Sequence, residues 1–566
     1  SMRGLVDKYK FIDGKKIKER GALQMEKILN DDYVKFISFA QEKIQHNGEG
    51  VVAYVNNHTF LDNPTMRAMR HHLLSDFDEI YIFNLHGNYK QREKGSHDEN
   101  VFKIQQGVSV NFFIKKKQSE IRKSADVYYA EIKGSSLEKF DFLGSNHMET
   151  TKFEKLSPNE PYFFFIPRSE KMESEYSNYK TITPSFPLKS IGFFTSRDKL
   201  VIGFEKKDIE NGVEEFRSSR KSNEELCDEL DIPVKKGWNI TRARSLLKSE
   251  NAPQGFFIEF LHRPFDKKVV FYHRSLVWSM SQPVMRNVLG KKNLTLCTSR
   301  QLAALPWQHC WVSNSIVELC YITNKTKEGN HVFPLYVYDD KNDQGELLPK
   351  DSTRHANIDP GLVKSLSDGI GLSYQSDGRG DLSRTFGPED IFYYTYAIFH
   401  SPTYRTRYAE QLKIDFPRLP ITSDKELFKR LVALGNELVN LHLLGENPFD
   451  PSKTILDDSN KWNIKIGGTT PANLDEWKVT DVRYDAKEKR VYVNAGQYFE
   501  GIEKEVWEFM IGGYQVCEKW LKDRKKAERM LSTDDLKHYM KIVVSLRETI
   551  RVMSEIDKAI PTWPMK

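Results

Sequence analysis

Eight basic residues set into one stretch of the chain, Arg197, Arg242, Arg244, Arg263, Arg274, Lys291, Lys292 and Arg300, are of the types that grip nucleic acid. Their cationic heads neutralise phosphates, and an arginine fork reaches guanine edges in the major groove. Any one of them is equally a solvated surface charge, so the expectation attaches to the set: some of its members contact DNA. Other chemistries find less support. The cysteines, Cys227, Cys297, Cys310, Cys320 and Cys517, are odd in number and form no Cys-x-x-Cys pair. They read as free thiols of a reducing compartment, without a zinc site. No clustered Asp/Glu-x-Lys motif of a nuclease stands out, and no metal-ligand spacing. The glycine cluster Asp377–Asp381 lacks the strand before and helix after that a phosphate cradle needs, and reads as a turn.

Bulk properties permit this chemistry without demanding it. With 85 basic against 79 acidic residues the formal charge is +6, a mild excess. At 566 residues the chain has room for three or four domains with ordinary cores. No apolar run is long enough to span a bilayer and no signal-peptide core opens the chain, so the expected setting is cytoplasmic, away from membranes.

The elements that would position these residues fall into two styles. Near the start, Val51–Val55 and Glu79–Phe83 are apolar and β-branched or aromatic without alternation, as in strands buried on both faces of a parallel sheet. Between them a helix from Pro64 carries Met66, Met69 and Leu73 on one face. Strand, helix and strand predict a right-handed crossover unit. A further strand is expected within Asn100–Ile114, a preceding helix over Asp31–Ile44 with Tyr33, Phe36, Ile37 and Ile44 near one face, and an edge strand at Val127–Ile132. The run Tyr162–Ile166 reads as a strand docking a connector. Gly192–Met280 reads as β-rich, with strands at Phe256–Leu261 and Val269–Tyr272. Helical periodicity then takes over. Ser423 with Glu426 predicts a capping box before the stripe Leu427, Leu431, Leu434, Leu438 and Leu441, Gly445 a stop, and Ser532 the start of a second long helix. Lys478–Val493 reads as a β-hairpin.

On the residues of Gly50–Leu74, Phe77–Asn88 and Asp98–Lys116 the chain resembles the second half of the catalytic domain of adenine-specific DNA methyltransferases, of the kind fused into single-chain type ISP restriction-modification enzymes. A second resemblance, to the specificity region of the same enzymes, starts at Ser190–Phe204 and runs to about Asp557. It is carried by Phe260–Asp266, Phe271–Arg274, Thr298–Gln301, His331–Tyr336, Phe386–Asp390, Tyr404–Glu410, Asp415–Arg418 and Val506–Tyr514 in order.

The resemblance implies an α/β fold: the second half of a doubly wound, Rossmann-like methyltransferase domain over residues 1–134 and a connector over 135–187. A mixed α+β target recognition domain follows, β-rich over 188–420, with a helical C-terminal scaffold over 421–566. It implies that Phe102 stacks on a flipped adenine, as an extruded base needs a flat apolar surface to replace its lost stacking. It implies S-adenosylmethionine as cofactor and double-stranded DNA as partner, with an upstream methyltransferase half and nuclease or translocase domains on the same polypeptide. The glycine-rich cofactor loop and the Asn-Pro-Pro-Tyr motif of that family occur nowhere in this sequence. The chain therefore reads as a fragment entered after a tag-like Ser1-Met2, with no catalytic residue of its own. The competing reading is a non-catalytic DNA-binding specificity module that acts with a separate methylase or nuclease subunit.

Overall fold

The computed structural model describes residues 4–17, 28–89, 97–117, 124–233, 237–251, 253–302, 306–323, 329–339, 353–468 and 477–565. They form two compact units, Ser1–Glu173 and Ser174–Lys566.

The first unit is built on a five-stranded mixed sheet. Its strands are β1 (Gly50–Asn57), β2 (Glu79–His86), β3 (Val108–Lys115), β4 (Asp126–Glu131) and β5 (Glu154–Leu156), in the spatial order β1-β3-β2-β4-β5. β3 runs antiparallel to both β1 and β2, whereas β2 and β4 are parallel. β1 and β2 therefore share a direction, but β3 lies between them. This corrects two expectations. The sheet is mixed rather than parallel, and β1 is an edge strand rather than an interior one, with Val51 59% and Val55 44% exposed. β4, expected at an edge, is covered by β5.

Helices α1 (Asp32–Asn47) and α2 (Arg67–Asp76) supply apolar faces. Met66, Met69 and Leu73 are buried as the spacing predicts, with Ile80, Ile82 and Phe113 in the same core. On α1 the inward residues are Val34, Ile37, Ser38 and Gln41, while Phe36 points to solvent. Ser38 and Gln41 face inward because the Ser38 hydroxyl donates to Leu5 O and Gln41 accepts from the Tyr9 hydroxyl. Tyr162–Ile166 is irregular rather than a strand. Arg70, fully buried, organises it by donating to Tyr162 O at 2.7 and 2.9 Å and to Asn63 O at 2.9 Å.

In the second unit the stretch expected to be β-rich opens with helices α4 (Lys207–Ser218), α5 (Asn223–Glu229) and α6 (Ile240–Lys248). Ile209, Val213 and Phe216, at helical spacing, bury one face of α4, and a Ser222–Glu225 capping box starts α5. The two strands expected after them are present as the antiparallel pair β6 (Phe257–Arg263) and β7 (Asp266–Phe271). A second sheet contains β8 (Thr295–Thr298), β9 (Cys310–Ser313) and β10 (His331–Pro334). After α7 (Pro360–Ile370) comes α8 (Pro388–His400), every residue of which is buried, with β9 of the second sheet against it.

The helical scaffold consists of α8, α9 (Lys425–His442) and α11 (Thr533–Ala559), with α10 (Val516–Lys526) beside them. The leucine stripe of α9 is buried throughout. Its cap is Asp424 rather than Ser423: Asp424 Oδ1 accepts from the backbone N–H of Glu426 and Leu427 at 2.9 and 3.0 Å. α11 starts at the Ser532 capping box. At the centre, His442 stacks on Trp311 with ring centroids 3.7 Å apart, and its two ring nitrogens meet the hydroxyls of Tyr396 at 2.6 Å and Thr549 at 2.9 Å. A buried imidazole with both nitrogens satisfied joins α8, α9 and α11 without a stranded polar group.

Candidate nucleic-acid interface

At the carboxyl end of β2 the chain reverses through His86 (φ +51°) and Gly87 (φ +76°) and returns as the loop before β3. Phe102 stands in that loop, six residues before β3, and is 54% exposed. Its backbone N–H donates to Asn100 Oδ1 at 2.8 Å, and Asn100 Nδ2 donates to Gln106 O at 2.6 Å and Gly87 O at 3.1 Å. Gly87 N–H donates to Asp98 Oδ2 at 2.7 Å, and a Cβ on Gly87 would fall 2.5 Å from Asn100 Cα, so a side chain cannot be fitted there. From α3 (Ser136–Ser145) the buried ammonium of Lys139 donates to Asp98 Oδ1 and Glu99 O, both at 2.6 Å. The loop is thus fixed at its base and offers its aromatic ring to solvent.

Beside this loop a polar rung crosses the sheet. Asn56, Ser109, Asn84 and Glu131 are register partners across β1, β3, β2 and β4. His58 Nδ1 donates to Asn84 Oδ1 at 3.0 Å, Asn84 Nδ2 to the Tyr129 hydroxyl at 3.0 Å, and that hydroxyl to Glu131 Oε2 at 2.7 Å. His86 Nε2 reaches the same oxygen at 2.9 Å. The His86 hydrogen bond, then that of Tyr129, outweighs burial and holds the Glu131 carboxyl down at about 2. None of these residues, nor Lys139, was singled out in the sequence. The Ser135–Glu138 capping box was the readable signal for α3, but nothing in the pattern shows that Lys139 turns inward.

The eight basic residues of the second unit part company. Arg263 is paired with the buried carboxylate of Glu318 at 2.6 Å. Arg244 donates to Lys221 O at 3.1 Å and Asn223 Oδ1 at 2.9 Å, closing the turn between α4 and α5. Arg300 pairs with Asp415 at 3.0 Å. Arg197 is 2% exposed and donates to Leu276 O at 2.9 Å. These four are engaged by partners within the protein, Arg300 at the surface and the others more deeply, so the members left for DNA are fewer than eight. Arg242, Arg274 and Lys292 are exposed, and Lys291 is half-buried. Lys291 and Lys292 lie over the rings of Tyr338 and Phe449, each at 5.2 Å.

One cluster has metal-ligand character: atoms of His262, Asp266 and Asp523 lie within 4.8 Å of one another. Its charge is already met. Burial would raise the Asp266 carboxyl, but Arg524, 2.7 Å away, more than reverses this and holds it well below the usual carboxylate range.

Residues 185–555 match the Type ISP C-terminal specificity domain. The chain belongs to this family. All eight basic residues lie within the matched segment of the specificity domain, and Phe102 lies before it. Three solved structures resemble the chain over 93 to 100% of its length. One is a cryoEM structure of a DrdV–DNA complex (TM-score 0.67, 22% identity, 93% of this chain and 52% of that one). Another is the ATP-dependent Type ISP restriction-modification enzyme LlaBIII bound to DNA (TM-score 0.69, 20% identity, 95% and 34%). The third is a nuclease-deletion mutant of the Type ISP restriction-modification enzyme LlaGI in complex with a DNA substrate mimic (TM-score 0.66, 20% identity, 100% and 50%). The chain thus spans between a third and about half of those chains. No curated protein sequence matches. Among the described residues, no helix of this Type ISP chain is long and apolar enough to cross a membrane.

Proposed function

We propose that this chain is the target-recognition and base-pocket portion of a site-specific adenine DNA methyltransferase in a bacterial restriction-modification or phage-defence system, working in the cytoplasm on double-stranded DNA. The observation that carries the reading is the match of residues 185–555 to the Type ISP specificity domain. The DNA-bound state of the three similar structures supports it. In this reading residues 1–134 are the latter half of the methyltransferase domain, 135–187 a connector, and 188–566 the specificity region with its helical scaffold.

Phe102 fits a base-stacking role because its ring is exposed while its backbone is clamped, so a flat partner gains contact area without a loop having to order first. Arg242, Arg274 and Lys292 are the exposed charges of the set that can reach phosphates. Methyl transfer from S-adenosylmethionine to the exocyclic amine of the flipped adenine belongs to the whole enzyme. The residues of this chain do not fit that cofactor. The glycine cluster Asp377–Asp381 has its backbone committed, since Gly378 N–H donates to the Tyr336 hydroxyl at 3.0 Å and Gly380 N–H to Asp390 Oδ2 at 2.6 Å. A second reading, a non-catalytic specificity module serving a separate methylase or nuclease subunit, is favoured by the family match starting only at residue 185.

Titration with labelled duplex at two salt concentrations tests DNA binding. The expected result is weak, salt-dependent affinity, because phosphate contacts dominate non-specific binding; no binding at low salt overturns the reading. Incubation with labelled S-adenosylmethionine and mixed-sequence duplex is expected to give no incorporation by this chain alone. Reconstitution with the upstream half separates the two readings: methylation in a single polypeptide supports the first, methylation by a freely exchanging subunit the second.

A further inference from the structure

One stack of rings in the second unit runs from the core to solvent and stops with a face uncovered. Phe216 of α4, fully buried, lies near-parallel to Trp238, with centroids 6.3 Å apart and planes at 25°. The Arg197 guanidinium lies 3.6 Å from the Trp238 ring centroid and 5.9 Å from that of Trp278. Trp278 itself is 41% exposed, the one tryptophan among the exposed large apolar residues described.

The turn that carries Trp278 is held from three sides. Arg197 donates to Leu276 O at 2.9 Å, Trp238 Nε1 donates to Ser275 O at 2.9 Å, and the Ser275 hydroxyl sits 2.7 Å from His273 Nδ1. Trp278 N–H donates to Thr195 O at 3.2 Å. An exposed tryptophan on a turn fixed this way does nothing for the core, yet its orientation is set by buried partners.

Two arginines of this region lack a counter-ion among the described residues. Arg197 makes no ion pair among the described residues, and its Nε and Nη2 are buried there without a hydrogen-bond acceptor. Arg274, four residues before Trp278, is exposed and also without an ion pair among the described residues. Two carboxylates share the region and are hydrogen-bonded elsewhere: Glu250 meets His273 Nε2 at 3.1 Å, and Asp198 accepts from the Thr195 hydroxyl. A cation behind an indole draws π density towards itself and leaves the far face better suited to an electron-rich ring than to a second cation.

We propose that the open face of Trp278 is a stacking platform for a nucleobase that has left its duplex stack, with Arg274 on the adjoining phosphate. Such a base arises where a step is kinked open or a strand is single, and aromatic platforms accept it whatever its identity. The inference rests on the DNA-binding reading above and adds to it a residue and a ligand class.

The test is fluorescence anisotropy of the full chain with labelled oligothymidine, whose bases are unstacked, and with labelled mixed-sequence duplex. Wild type, Trp278→Ala, Trp278→Phe and Arg274→Gln are compared, each with its melting temperature. Trp278→Ala is expected to weaken oligothymidine binding roughly five- to hundredfold and duplex binding far less, and Trp278→Phe to recover most of the loss. Arg274→Gln is expected to weaken both and to lower the salt slope by about one. Wild-type affinity of Trp278→Ala for oligothymidine overturns the platform. So does a loss on both DNAs that tracks a lowered melting temperature and is not rescued by Trp278→Phe. Binding of wild type to duplex but not to oligothymidine overturns the platform and leaves the DNA reading standing, whereas binding to neither strikes the DNA reading itself.

Discussion

The ammonium of Lys139 is fully buried and lies 2.6 Å from Asp98 Oδ1, at the root of the loop that presents Phe102. Asp98 in turn holds Gly87 N–H and Gly134 N–H, at 2.7 and 3.2 Å. One ion pair therefore ties helix α3 to the strand-end reversal after β2.

Removing Lys139 takes the buried cation away from that carboxylate. Lys139→Met is expected to destabilise the first unit by about 3–5 kcal/mol, as when one partner of a buried pair is lost. The check is chemical unfolding together with hydrogen exchange, where amides of residues 97–107 should lose protection first. Unchanged protection in that loop would contradict the clamp.

Phe102→Ala should behave in the opposite way. With the ring 54% exposed, stability is expected to change by no more than about 0.5 kcal/mol. In the complete enzyme the same change should remove a stacking contact worth about 1–3 kcal/mol. 2-Aminopurine at the target adenine reports flipping, and normal flipping by the variant would remove the residue from the site.

Arg524 and Asp266 form a second buried pair, 2.7 Å apart, joining α10 to β7. Arg524→Met is expected to cost about 3–5 kcal/mol, and Asp266→Asn added to it should recover part of that, since the uncompensated charge is then gone. Urea midpoints of the two single variants and the double measure this cycle; strict additivity would show that the pair is not coupled.

Acid should loosen the second unit early. Burial lowers His262 and His331 to about 4 and His309 to about 3, and holds His400 and His442 well below 6.5. In the unfolded chain these imidazoles titrate near 6.5, so between about 6.5 and 4 the unfolded state binds more protons. Stability is then complete above about pH 7 and falls as pH drops through that window, by about 1.4 kcal/mol per pH unit for each proton taken up. Urea midpoints at pH 7.5 and 5.0 check the sign, and equal midpoints would contradict it.

What the sequence by itself determined was local periodicity and ordered motifs. The α9 stripe, the Ser532 cap of α11 and the apolar face of α2 follow from spacing, because a helix repeats its inward face every three to four residues whatever it packs against. The motif series from Ser190 onward likewise pointed to the Type ISP specificity region, which the match over 185–555 shows. Neighbour relations were not legible. Val51–Val55 reads as a central strand, yet antiparallel β3 inserts between β1 and β2 and leaves β1 at the edge, since strand order is set by topology and not by strand composition. The same holds for charge. Arg263 and Arg274 look alike in the sequence, but Glu318, 55 residues away, folds back onto Arg263 and neutralises it, while Arg274 stays at the surface. Only the tertiary structure decides which cations are free, because a partner's distance along the chain says nothing about its distance in space.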